Sequence, residues 1–225
     1  MNKAGNRSIS QILALCGFVG AIFYVGHVIL GGLLWEGYSH ITQTISELTG
    51  SASPYAGLLT VLTTIYGILL IACSVGVFMR FQEMGMKKTA KTGSVLLMIL
   101  AVVSFFGYAL FPLDPLGAMD NFQNMMHFVV TGIVVLCTIG STYLIGIGLW
   151  KTRAHRSLGR FIFLCAIVIT VFGALTPMAM AQGWPISGLT ERINIFTLQI
   201  WISVLALYLF LGRGLTVETE QKAAR

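Results

Sequence analysis

Six apolar stretches, each long enough to cross a bilayer as a helix, dominate this chain of 225 residues. They run approximately over 9–35, 54–79, 89–111, 124–150, 161–180 and 193–211. A hydrocarbon core takes roughly 20 helical residues, and inside it every backbone N–H and C=O must find a partner within the protein. No strand-length alternation of apolar and polar residues recurs, so a β-barrel is not indicated. Charged residues make up 10% of the chain, against roughly 25% in soluble domains, and a water-soluble fold is excluded. The expected fold class is all-α: a polytopic integral membrane protein with six transmembrane helices in one bundle. It forms a single domain over 1–225, with short cytoplasmic tails at 1–8 and 213–225.

The basic residues set the expected orientation. Lys3 and Arg7 precede the first apolar run, and Arg80, Lys87, Lys88 and Lys91 occupy the second loop. Lys151, Arg153, Arg156 and Arg160 occupy the fourth loop, and Arg213, Lys222 and Arg225 the tail. Of the 14 basic residues, only Arg192 falls in an alternate loop. Both termini are therefore expected in the cytoplasm of a cell with the protein in its plasma membrane. The net charge of +6 is explained by that topology, and no nucleic-acid partner is expected. Glu36, Glu47, Asp114, Asp120 and Glu191 lie on the opposite, outer side with His40 and His127, while His155 is expected to be a solvated inner-loop residue. The start, MNKAGNRSISQILALC, has the basic-then-apolar order of a signal peptide, but its apolar run continues to residue 35 and is expected to be a retained helix. Cys16, Cys73, Cys137 and Cys165 all fall in apolar segments, as small core residues rather than a disulfide framework.

The richest polar stretch is 111–127, FPLDPLGAMDNFQNMMH. Pro112 and Pro115 stop the incoming helix, and Asp120, Asn124, His127 and Thr131 then recur at helical spacing. In the first outer loop, 36–53, Tyr38, Ile41, Ile45 and Leu48 make an apolar stripe, and His40, Thr44, Glu47 and Ser51 a polar one. The spacing predicts a short amphipathic helix from an N-cap at Ser39 to a stop at Gly50, serving as an interfacial anchor or a lid. Helix one places Gly17, Gly20, Tyr24, His27 and Gly31 on one face, so His27 is expected to face a packed seam and find a partner. Thr131, Thr138 and Thr142 in helix four, and Arg192, Gln199 and Ser203 in helix six, continue the polar stripes. Pro177 is expected to bend or end helix five.

The six-helix layout, HITQTISELTGSASPYAG, FPLD followed by the helix-opening His127, and GLTERI before the last helix together resemble an uncharacterised prokaryotic membrane family catalogued as domain of unknown function 998. That resemblance covers most of the chain. It implies a six-helix integral membrane protein and supplies no activity. A more distant similarity, to alkaline ceramidase-like membrane hydrolases, stops short at their zinc-binding histidine pair in the last helix, since no histidine follows His155.

Three functional readings arise from the outer-face groups. The first is a sensor, scaffold or envelope-interaction protein whose Glu191 and Arg192 form a structural ion pair. The second is a metal-dependent hydrolase acting on a lipid-like substrate, with Asp114, Asp120, His127, His40 and Glu47 as catalytic candidates. Zinc is the cofactor such a set would take, with ligands drawn from His27, His40, His127, Asp114 and Asp120. The third is a small-solute or lipid transporter using the same acids and histidines. The lipid bilayer is the expected partner, with a lipid-like or small-molecule ligand at the outer face. All seven outer groups, from His40 and Glu47 through Asp114, Asp120 and His127 to Glu191 and Arg192, are expected to converge on one site.

Overall fold

The computed structural model describes residues 7–116, 118 and 120–212. Apart from Arg7 and Ser8, the expected tails lie outside the described residues. Six helices follow in order: α1 (Ile9–Leu34), α2 (Ala56–Glu83), α3 (Lys88–Leu110), α4 (Phe122–Trp150), α5 (Arg156–Ala181) and α6 (Ser187–Phe210). All six are long and apolar enough to span a membrane, and no strand occurs among the described residues. The fold is thus an all-α polytopic bundle. Each helix packs on its neighbour in the chain, and α1 closes against α6, so the bundle is a ring.

Local chemistry sets the helix starts. Ser8 caps α1 through a capping box, its side chain accepting from Gln11 N while Gln11 Oε1 accepts from Ser8 N. Asn121 caps α4 by accepting from Asn124 N at 2.7 Å. Asp120 is therefore outside the helix and exposed, not on the face shared by Asn124 and His127. Helix α6 begins at Ser187, well before its apolar run, because Thr190, Arg192 and Asn194 are buried despite their polarity.

Two further expectations, for Arg80 and His155, need correction. Arg80 is not a loop residue: it lies inside α2 and is only 2% exposed. Its Nη1 donates to Glu83 Oε2 at 2.6 Å, and the same oxygen accepts from Ser10 Oγ of α1 at 2.9 Å. This charge-neutral cluster lets α2 run a turn beyond the apolar segment. Of the two outcomes expected of Pro177, a bend or an end, it does not end α5, which continues to Ala181. A proline costs its helix one N–H, and the turn beyond it still closes through Gln182 N to Met178 O and Trp184 N to Ala179 O. His155, expected in solvent, is buried with its Nδ1 2.8 Å from Tyr208 Oη.

The two ends of the ring differ in packing. Toward the basic loops an apolar core fills the interior, with Trp201, Phe81, Leu97, Leu149, Ile162 and Leu205 at its centre. Toward the acidic loops the core is small, comprising Val28, Ile45, Leu48 and Leu59 under the first loop. Between these two cores the ring is not filled.

Candidate functional site: a roofed cavity in the acidic half

A cavity of about 450 Å³ occupies that gap, within the roughly 300–1,000 Å³ typical of small-molecule pockets. Its floor is Leu70, Leu100 and Leu198, which belong to the large apolar core. Its roof is Ile45, Ser46 and Thr49 from the first acidic-side loop, with Pro112 and Leu113 from the second. Tyr24, His27 and Tyr66 form one wall, Phe105, Tyr108 and His127 another, and Glu191 and Gln199 reach in from α6. Thr60, Thr63 and Thr64 stand at i, i+3 and i+4 on one face of α2 and also line it. Thr60 and Thr64 are exposed on the bundle surface as well, as is Ala109 of α3 opposite, so the cavity opens sideways between α2 and α3.

The roof is built by the first loop, which is not the predicted helix. A single turn closes from Gln43 N to Ser39 O, and a short 3-10 helix follows over Ser46–Thr49. The carbonyls that a helix would need are taken by α6. Ile41 O accepts from Leu189 N at 2.9 Å, Thr42 O from Ser187 Oγ at 2.7 Å, and Gln43 O from Arg192 Nη1 at 2.8 Å. Thr44 O accepts from Tyr38 Oη at 2.7 Å, and Tyr38 Oη in turn accepts from Arg192 Nη2 at 2.6 Å. Burial pushes the Tyr38 phenol up to about 12 against the opposing pull of Arg192, so it stays a neutral donor. Gly188 is required beneath this clasp, since a Cβ there would overlap Gln43 O.

The sequence-predicted groups sort into separate places rather than one site. Glu47 serves its own loop: Oε1 accepts from Thr44 N at 2.8 Å and Thr44 Oγ1 at 3.0 Å, and Oε2 from Gln43 Nε2 at 3.2 Å. Asp114 joins the two loops by accepting from Ser51 Oγ. The fully buried Asn124 locks the same residue's backbone, accepting from Asp114 N and donating to Asp114 O, both at 2.9 Å. His40 is largely exposed, edge-on to Tyr38, and partial desolvation of its ring, followed by Arg192, holds its pKa below the usual histidine value. Glu191 and Arg192 do not form the expected ion pair. Adjacent residues of a helix point about 100° apart, and Arg192 goes to the loop while Glu191 turns to the cavity roof. Glu191 Oε2 accepts from Ile45 N at 2.6 Å, with Ser46 Oγ 3.5 Å from Oε1. Among the described residues the ion pair within 4.0 Å is Arg80–Glu83.

Of the predicted residues, the cavity gathers His27, His127 and Glu191. His27 Nδ1 lies 2.5 Å from Tyr24 O and His127 Nδ1 2.8 Å from Phe111 O. A carbonyl can only accept, so each Nδ1 carries the proton and each neutral ring keeps an acceptor at Nε2. Gln199 Nε2 donates to Tyr66 Oη at 2.8 Å, leaving Gln199 Oε1 buried without a partner. These acceptors are spread around the walls, and among the described residues no three His, Cys, Asp or Glu side chains gather as a metal would require. The residues do not fit a zinc centre. Sequence reading missed Tyr66, Tyr108 and the Thr60/Thr63/Thr64 face, although a threonine triplet at helical spacing in an apolar run was a usable signal.

The fold and cavity together define a polytopic helical membrane protein with a ligand-sized chamber in one half. Residues 18–208 match the family model described as "Protein of unknown function (DUF998)", and the chain belongs to that family. No curated protein and no solved structure matches it.

Proposed function

We propose that the protein is a membrane sensor whose acidic end faces outward and whose cavity takes up an amphiphilic small molecule through the opening between α2 and α3. The observation that carries this reading is a ligand-sized chamber, roofed by a loop clasped to α6, with an opening on the side of the bundle. Thr60 and Thr64 sit about 6 and 12 Å down α2 from its acidic end, at 1.5 Å per residue. That depth corresponds to the outer headgroup zone and the upper acyl chains. An amphiphile entering there would keep its tail toward lipid and bring its polar end under the roof. The leucine floor and the filled basic half favour a closed binding site over passage, and so a sensor over a transporter.

The orientation rests on the basic asymmetry. Reporter fusions after Lys88 and after Ala154 should read cytoplasmic, and one after Leu116 external. The reverse pattern would put the cavity in the inner leaflet and end the outer-face reading. For the binding role, Thr64→Trp should plug the opening from an exposed position without disturbing the core. Native mass spectrometry of protein extracted in mild detergent should show a bound amphiphile on the wild type and its loss on the variant. An identical set of bound species on both would refute uptake through this opening.

A further inference from the structure

Apart from the hydroxyls of Tyr24, Tyr66, Thr60 and Thr64, which can donate as well as accept, the cavity's unspent hydrogen-bonding capacity is all acceptor. Gln199 Oε1 is buried with no donor, and Glu191 Oε1 has only the long contact from Ser46 Oγ. His27 and His127 have each committed Nδ1–H to a backbone carbonyl, so the neutral rings offer lone pairs at Nε2. No Lys or Arg lines the chamber, and Arg192, next to the carboxylate in sequence, spends its fork on Gln43 O, Gly188 O and Tyr38 Oη. The aromatic walls add negative π-faces: Tyr24 and Tyr66 lie 4.7 Å apart between ring centroids, and Tyr108 and His127 5.2 Å apart. A carboxylate in such a chamber lacks a counter-charge within 4.0 Å among the described residues, and a buried carboxylate is costly unless one is supplied.

Building on the sensor reading above, we infer that the ligand is a protonated amine, an amphiphile whose ammonium N–H groups answer Glu191 and Gln199 between the tyrosines. An ammonium brings three donors and a positive charge, matching a carboxylate, unspent acceptors and π-faces. An anionic headgroup finds no cation here, only neutral hydroxyl donors, and would sit beside the Glu191 carboxylate. A neutral alcohol uses one acceptor and leaves the carboxylate uncompensated. The spread of the acceptors, too wide for a metal ion, suits the longer reach of an organic headgroup.

Calorimetric titration of the full chain in nanodiscs of zwitterionic phosphatidylcholine tests this directly. The probes are decylamine (protonated at neutral pH), decanol and decanoate, each corrected with empty nanodiscs. The wild type should bind decylamine about ten-fold or more tightly than decanol, as expected for charge-assisted over neutral hydrogen bonds, with decanoate weakest. Glu191→Gln keeps an acceptor for Ile45 N and should reduce the amine preference to about two-fold or less, leaving decanol unchanged. Thr64→Trp should remove saturable binding of every probe. Equal affinities for amine and alcohol, both lost in Thr64→Trp, would overturn the amine inference and leave the cavity reading standing. Saturable binding of no probe would overturn both. Should Glu191→Gln fail to assemble, the three-probe comparison on the wild type decides alone. Adding phosphatidylethanolamine to the nanodiscs separates the sources: weakened decylamine binding identifies a lipid amine headgroup as the natural occupant, and unchanged binding a free amphiphilic amine.

Discussion

Replacing Arg192 by methionine is expected to lower the unfolding free energy by about 3 kcal/mol, since hydrogen bonds to a charged donor contribute roughly 1.5–3 kcal/mol each and are only partly additive. Arg192 is 7% exposed and holds Gln43 O, Gly188 O and Tyr38 Oη at 2.6–2.9 Å. Its removal strands Gln43 O over α6 and withdraws a charge from above the Tyr38 ring, whose centroid lies 5.5 Å from the guanidinium carbon. Lysine restores the charge without the planar fork, so Arg192→Lys should recover less than half of the loss. Tyr38→Phe removes one relay and should cost about 1 kcal/mol. Thermal unfolding of detergent-solubilised protein, followed by tryptophan fluorescence, ranks the three. A methionine variant as stable as the wild type would show that Ile45, Leu48 and their apolar neighbours hold the roof unaided.

The same residue explains what the sequence conceals. Six spans were legible because burial in lipid imposes a length and an apolar content on each helix separately. The seam position of His27 was legible too, from its glycine-rich face, and the structure leaves it 1% exposed with Tyr24 O as partner. The first loop was not. Its amphipathic spacing satisfies a helix, but the carbonyls of Thr42 and Gln43 bond residues 145 and 149 positions away, and no local pattern records that. The expectation of a single polar site failed for a related reason. Asp114, Glu47 and Glu191 all lie at the acidic end of the bundle, yet each carboxylate is claimed by a donor in a loop, Ser51, Thr44 and Ile45 respectively. What remains facing the chamber is a set of half-used acceptors beside neutral hydroxyls, visible only once the first partner of each is known.

Packing in the basic half should respond as sharply to a single methyl group. At Gly159 of α5 a Cβ would fall on the backbone nitrogen and Cα of Trp150 in α4. Main chain cannot rotate away as a side chain can, so α4 and α5 must separate. Gly159→Ala is expected to cost about 3 kcal/mol, the upper part of the usual range for overpacking. Gly76→Ala should behave likewise, because a Cβ there meets the backbone of Leu13 and Ala14 across the α1–α2 contact. Gly26 provides the contrast: it lies in α1 with nothing within 4 Å of an added Cβ. Alanine there should be neutral or stabilising by up to about 1 kcal/mol through helix propensity. Unfolding midpoints of the three variants in one detergent would test this order, and equal midpoints would contradict the close backbone approach. None of the three glycines lines the cavity. Folded Gly159→Ala protein should therefore bind decylamine as the wild type does, which separates loss of stability from loss of the site.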